Sequence, residues 1–159
     1  MWHRIGSNGS RRYGQKGAGM LFTDGTHILL LRRADGHHKE TWGLPGGKAK
    51  LKENPFATAK RETEEEIGRF PTGARRIGKL EEHDGLHIWT NFIMRIDKPF
   101  DNLRLSAEHS AWRWVPMNTI QGYRLHPDLK RNIKRYIHWI SLKIPRGFKE
   151  WLEAIKAIS

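Results

Sequence analysis

Few segments limit the fold of this 159-residue chain as tightly as Asn54 to Gly68, because both ends of a helix and its buried face are written there together. Asn54 is a good N-cap, its side-chain oxygen suited to a free N–H of the first turn. Pro55 belongs at the first helical position, where its missing N–H would have had no partner. Phe56, Ala59, Thr63 and Ile67 fall on one stripe at helical spacing, a face meant for the core. Gly68 stands where a left-handed residue stops the helix. On the neighbouring face Glu62, Glu65 and Glu66 lie one above another. Three carboxylates at that spacing repel one another, and a helix gains from gathering them only when a cation sits between. Mg²⁺ is the natural guest, since it takes hard oxygen ligands and keeps waters for substrate phosphates. The plain alternative is a solvated acidic face.

The residues around the helix weigh against the plain reading. Gly47 is followed by Glu53, then by Arg61-Glu62, Glu65-Glu66 and Gly68, a pattern that resembles the Nudix box, Gly-x5-Glu-x7-Arg-Glu-U-x-Glu-Glu-x-Gly-U, with U apolar. Seven fixed residues match at the right spacings, and Thr63 occupies the first U. Arg69 departs from the pattern at the last U. The resemblance implies an α/β fold: a Nudix-type α/β/α sandwich with a mixed β-sheet. It also implies Mg²⁺, with Mn²⁺ as a substitute, held by Glu62, Glu65, Glu66 and the carbonyl of Gly46. That glycine belongs to the stretch Trp42 to Lys48, whose Pro45 and paired glycines allow a tight backbone path. Glu53 is either a further ligand or the partner of Arg61, holding the loop against the helix.

By the same resemblance the chain hydrolyses a nucleoside diphosphate linked to another group X. Glu62, Glu65 and Arg61 belong to the catalytic group, and the general base is Glu62 or Glu108. Glu108 has a second reading as a solvated loop carboxylate. Arg33, Lys48 and Trp89 are the expected substrate contacts. Arg32 and Arg33 should point to opposite faces of their strand, with Arg33 toward phosphate. His109, His37 and His38 read as surface or packing residues. The segments Leu30 to Asp35 and Leu44 to Lys48 are most similar to the MutT-like branch, which converts (d)NTPs, some of them oxidised, to monophosphate and pyrophosphate. The markers of the ADP-ribose and dinucleoside polyphosphate branches are absent from Asp84 to His87. An Asn that reads guanine near the last helix has no match, and His126 lies in that region. Trp89, Phe92, Trp112, Trp114 and Tyr123 are candidates for a stacking surface. Trp89 and Asn91 share a strand face.

The rest of the chain organises as a basic N-terminal segment over 1–17, a domain over 18–144 and an appended helix over 145–159. Strand-like runs at Ala18 to Phe22 and His27 to Arg33 flank Asp24-Gly25, a hairpin signal. A second pair flanks Asp84-Gly85, and Ala111 to Pro116 reads as a last strand. Leu129, Ile133, Tyr136, Ile137 and Ile140 trace a helix that starts at Pro127-Asp128. Phe148, Trp151, Leu152 and Ile155 trace another. The net charge of +12 attracts polyanions. Lys130, Arg131, Lys134 and Arg135, with the basic N-terminal segment, carry an alternative: hydrolysis of capped or 5′-phosphorylated RNA. A non-catalytic binding module is a third reading, against which the retained carboxylates speak. No apolar run is long enough for a membrane span. The absence of cysteine removes thiol chemistry and agrees with a cytoplasmic setting.

Overall fold

The computed structural model describes residues 15–144 and 156–158. Within them run β1 (Lys16–Thr23), β2 (His27–Arg33), β3 (Trp42–Gly43), β4 (Gly46–Lys48), α1 (Pro55–Ile67), β5 (Arg75–Asp84), β6 (His87–Arg95), β7 (His109–Pro116), a 3-10 turn at Ile120–Gly122 and α2 (Pro127–Lys143). The strands form one mixed sheet in the order β3-β2-β1-β6-β5, with β4 on β1 and β7 on β2. The basic segment before residue 15 and the helix expected over Phe148 to Ile155 lie outside the described residues.

Alternation along the central strands sorts their side chains onto two faces. Leu21, Ile28, Leu30 and Ile93 meet Leu129, Ile133, Tyr136, Ile137 and Ile140 of α2 on one side. Met20, Phe22, Leu29, Leu31 and Phe92 meet Ala59 and Ile67 of α1 on the other. The result is an α/β/α sandwich, as the resemblance implies. At about 1.5–3 kcal/mol for each fully buried large apolar side chain, these two layers hold both helices against the sheet. Ala157 is buried against the α2 side, where its carbonyl accepts a hydrogen bond from Gln121 Nε2.

Both ends of α1 follow the expected chemistry. Asn54 Oδ1 accepts from the Ala57 N–H at 2.8 Å. Gly68 closes the helix in the left-handed region at φ 89°. Arg69, the departure from the pattern, covers Phe100 with its guanidinium 5.6 Å from the ring centre and donates to Asn102 Oδ1. Its long stem takes over the packing that an apolar residue would supply there.

The first hairpin differs from expectation. Asp24 Oδ1 accepts from the N–H groups of Thr26 and His27, and Gly25 takes φ 99°, so the turn forms. Yet β1 and β2 are in register only at Thr23 and Ile28. Beyond that point β1 runs parallel to β6 from Lys16–Ile88 to Thr23–Arg95, while β4 takes its other edge at Gly17, Ala18 and Gly19. The strands therefore diverge, and β2 pairs with β7 instead. The cleft described next opens on the side where they part.

Candidate active site

Five hydrogen bonds from one guanidinium organise the base of the site. Arg61 Nε and Nη2 clasp both oxygens of Glu53 at 2.8 and 2.9 Å, and Nη2 also donates to the Lys48 carbonyl at 3.0 Å. Its Nη1 reaches Glu62 Oε1 at 3.1 Å and Glu65 Oε1 at 3.2 Å. Glu53 takes two further donors, the Lys50 N–H and the Thr58 hydroxyl. The Arg61 guanidinium holds the Glu53 carboxyl at about 2, far below its usual value, and Glu53 in turn raises the pKa of Arg61. The loop from Lys48 to Glu53 is thus pinned to the first two turns of α1.

Above this clasp, β4 meets the acidic face of the helix. Glu66 is 5% exposed, and its Oε1 accepts from the Gly46 N–H at 2.7 Å. Burial pushes its carboxyl up to about 8, partly offset by that N–H and reinforced by the nearby charges of Glu62 and Glu108. Glu62 is raised as well, first by burial, against the pull of Arg61. Gly47 is the floor under Glu62: a Cβ there would stand 2.2 Å from the Glu62 Cδ. Only hydrogen fits. Gly46 is equally confined, since its Cβ would lie 2.6 Å from the Ala18 carbonyl oxygen.

A cleft of about 770 Å³ opens over these groups. Its lining includes Gly46, Gly47, Lys48, Glu62, Glu66, Glu108, His109 and Arg33, together with Trp89, Asn91, Glu82, His126, Asp128 and Leu129. Of the residues the sequence singles out, the fold brings Arg33, Gly46, Lys48, Glu62, Glu66, Trp89 and Glu108 to this cleft. Glu53, Arg61 and Glu65 are not in its lining. Glu65 is 53% exposed and leans to Arg61, which sits one turn earlier and offers the nearest cation. Arg32 and Arg33 point to opposite faces as expected: Arg32 Nε donates to Ser110 Oγ at 2.9 Å, whereas the Nε of Arg33 is buried without a protein partner.

His109 was expected at the surface or in packing, and its side chain is only 8% exposed, with Nδ1 3.8 Å from Glu66 Oε2. Burial and then the charge of Arg33 push it down to about 4. It is neutral at pH 7, so the pair is no salt bridge. The ladder from β2 to β7 sets Arg33 opposite His109, a pairing across the whole helix that no local signal discloses. Among the aromatic candidates only Trp89 reaches the cleft. Phe92 is core against Phe56, the Trp114 indole donates to the Phe100 carbonyl, and Tyr123 packs edge-on against Trp42. Trp112 packs in the α1-side core.

Among the described residues no three acidic or histidine side chains already stand at closed metal-ligand distances. The donor chemistry nevertheless fits a hard divalent cation. Glu62 and Glu66 are held at raised pKa first by burial, Glu66 also by the charge of Glu62 and Glu62 by that of Glu65, with Glu108 close enough to add to both. A cation here would relieve that cost.

The family model described as NUDIX domain matches residues 14–140. The chain is 31% identical over 144 residues to the putative 8-oxo-dGTP diphosphatase 3 of Mycobacterium tuberculosis, covering 82% of this chain and 66% of that one. It is 34% identical over 103 residues to the asymmetrical bis(5′-nucleosyl)-tetraphosphatase of Rattus norvegicus, covering 57% and 65%. The matches span from 24% to 66% of the length of the curated relatives. In fold it resembles the Nudix hydrolase RenU of M. smegmatis, with a TM-score of 0.70 at 24% identity, over 92% of this chain and 98% of that one. No helix among the described residues is long and apolar enough to cross a membrane.

Proposed function

The chain belongs to the Nudix family, and we propose that it hydrolyses the pyrophosphate bond of a nucleoside triphosphate, ordinary or oxidised, to monophosphate and pyrophosphate. The observation that carries this reading is the pair Glu62 and Glu66, half-buried and buried over a two-glycine floor, facing Arg33 across one cleft.

Glu62, Glu66 and the Gly46 carbonyl would hold Mg²⁺ or Mn²⁺, while Glu65 stays with Arg61 outside the cleft lining. When bound, such an ion neutralises phosphate oxygens and lowers the pKa of an attacking water. The protein supplies the rest. Glu53 and Arg61 keep the loop and helix in one geometry, so that the Gly46 N–H stays on Glu66. Arg33, with a buried Nε in want of an acceptor, binds a phosphate oxygen of the substrate. Lys48 adds charge at the rim. Glu108 is exposed at the mouth, and its carboxylate takes the proton of the water that attacks phosphorus as the bridging P–O bond breaks and pyrophosphate leaves. His109, neutral beside Glu66, supplies an apolar wall with one unspent ring nitrogen.

A second reading, hydrolysis of a dinucleoside polyphosphate, has one observation in its favour. A neighbouring cleft of about 700 Å³ shares Lys48, Glu82, Trp89 and Asp128 with the first and offers room for a second nucleoside. The rat relative carries such an activity in its name. The RNA reading has less support: of Lys130, Arg131, Lys134 and Arg135 on α2, Arg131 pairs with Asp128 and Arg135 donates to the Glu81 carbonyl.

The test is incubation with Mg²⁺ and (d)NTPs, 8-oxo-dGTP, a dinucleoside tetraphosphate, ADP-ribose and capped RNA, with products separated by chromatography. Monophosphate with pyrophosphate, lost on adding a chelator, is the expected result. Release of inorganic phosphate from a triphosphate, or no metal-dependent cleavage, overturns the reading. Gly47→Ala should lower turnover roughly 100-fold, as expected for an ångström-scale misplacement. Its melting temperature should change little, because the clash falls on a side chain that can swing away. A variant with full turnover would remove Glu62 from the reaction.

A further inference from the structure

Where Trp89, Asn91 and Glu82 line the cleft, four side chains form a hydrogen-bonded chain with a single direction. The Trp89 indole N–H can only donate, and it donates to Asn91 Oδ1 at 3.0 Å. That contact fixes the amide, so the Asn91 Nδ2 group is the donor that meets the Tyr136 hydroxyl oxygen at 2.8 Å. With its oxygen accepting from Asn91, the hydroxyl turns its proton to Glu82 Oε2. Asn91 Nδ2 also lies 3.2 Å from that same oxygen. Two donors therefore converge on Oε2. Tyr136 is fully buried and Asn91 is 5% exposed, so the chain has no freedom to reverse.

The consequence falls on the other oxygen. Glu82 Oε1 receives no hydrogen bond among the described residues, and Glu82 lines both clefts. Glu82 stands directly opposite Trp89 in the β5–β6 ladder, so a flat group against the indole would bring its edge within reach of Oε1. The charge pattern says which part of a ligand that is. Glu82 and Asp128 are acidic residues of both clefts, whereas Arg33 lines only the one that holds Glu62 and Glu66. A neutral group that can donate belongs there.

We propose that Glu82 is a specificity-determining residue whose Oε1 accepts a hydrogen bond from the amino group of a nucleobase, with Trp89, Asn91 and Tyr136 as the positioning residues that aim it. The proposal rests on the reading of the cleft as a nucleotide site. A base bearing an exocyclic amine completes the array, whereas one that offers only a carbonyl sets oxygen against oxygen. An unpaired acceptor in such a site rejects the wrong ligand far more strongly than a missing methylene does.

Glu82→Gln tests this with little change of shape. Its amide oxygen stays with Tyr136 and Asn91, because both donate, and its NH₂ is then turned toward the ligand. The hydrogen-bond polarity at the free position is reversed. Binding of AMP, GMP and IMP to the full chain with Mg²⁺ is measured by calorimetry, which needs no turnover. IMP carries a carbonyl where AMP has its amine and lacks the amine of GMP. The wild type should bind the better of AMP and GMP roughly tenfold or more tighter than IMP, and Glu82→Gln should bring that ratio to about one or below. Tyr136→Phe, which releases Oε2, should shrink the ratio too, with a melting curve to establish that each variant is folded. A wild type that binds all three equally, or a variant that weakens all three alike, overturns the assignment of Glu82 alone. Failure of any nucleotide to bind overturns the nucleotide site itself, and this inference with it.

Discussion

Glu66→Gln should abolish Mg²⁺-dependent turnover and, in the metal-free protein, raise stability at neutral and alkaline pH. The two effects have one cause. In the folded chain the Glu66 carboxyl is pushed up to about 8, from 4.5 for a glutamate free in water, chiefly because it is buried. Between those values the folded state keeps a proton that the unfolded state releases. The contribution of Glu66 to the stability of the metal-free wild type is therefore greatest below about 4.5, falls as pH rises through that window, and levels off above about 8. Glutamine keeps the acceptor for the Gly46 N–H and has no charge to bury. Its melting temperature should fall less than that of the wild type over this window, the gap widening to a few kcal/mol at pH 8.5. Turnover goes the other way. A ligand that helps to place several kcal/mol of charge stabilisation on the transition state is worth about 10³-fold in rate at 1.36 kcal/mol per decade. Thermal melts in chelator from pH 5 to 9, beside turnover with Mg²⁺, check both. Parallel melting profiles for variant and wild type would contradict the buried-charge argument.

Arg61→Ala should cost the fold about 3 kcal/mol at pH 7, the usual scale for removing one partner of a partly buried ion pair. The variant strands Glu53 with its Lys50 and Thr58 donors but no cation. It also releases Glu62 and the Lys48 carbonyl. Glu53 sets the pH dependence. Its folded pKa is depressed to about 2, so the clasp's contribution is fully present above about 4.5 and is lost as pH falls toward 2. The difference between wild type and Arg61→Ala in urea unfolding should accordingly shrink on acidification from pH 6 to pH 2.5. Arg61→Lys should recover only part of it, because an ammonium cannot match the two-pronged contact with Glu53. An unchanged gap at low pH would place the source of the loss elsewhere.

Most of α1 and α2 was legible because the signals there are local. Asn54, Pro55 and Gly68 specify an axis and its two ends within fifteen residues, and the stripe Ala59, Thr63 and Ile67 turns one face inward. Pro127 and Asp128 open α2 just before the stripe that begins at Leu129, and the structure adds His126 as the N-cap, its ring accepting from the Asp128 N–H. What escaped was set by pairing between distant segments. The three residues of β4 carry no strand pattern, and they form a strand because β1 offers them an edge. His109 enters the site through its register with Arg33, and Asn91 and Tyr136 meet across 45 residues of sequence. The direction of Glu65 was also hidden. Helical spacing puts it with Glu62 and Glu66, and the position of Arg61 draws it away. The glycine pair shows the two kinds of information together: the motif names Gly46 and Gly47, but only the fold says that one feeds an N–H to Glu66 and the other clears space for Glu62.

The central claim is that Glu62 and Glu66 hold the metal on which pyrophosphate cleavage depends. It is tested most directly by following a nucleoside triphosphate by phosphorus NMR with increasing Mg²⁺, wild type beside Glu66→Gln at pH 8.5. Monophosphate and pyrophosphate signals should grow with Mg²⁺ in the wild type and stay at background in the variant. Equal cleavage by the two proteins, or cleavage by the wild type that ignores Mg²⁺, would contradict it.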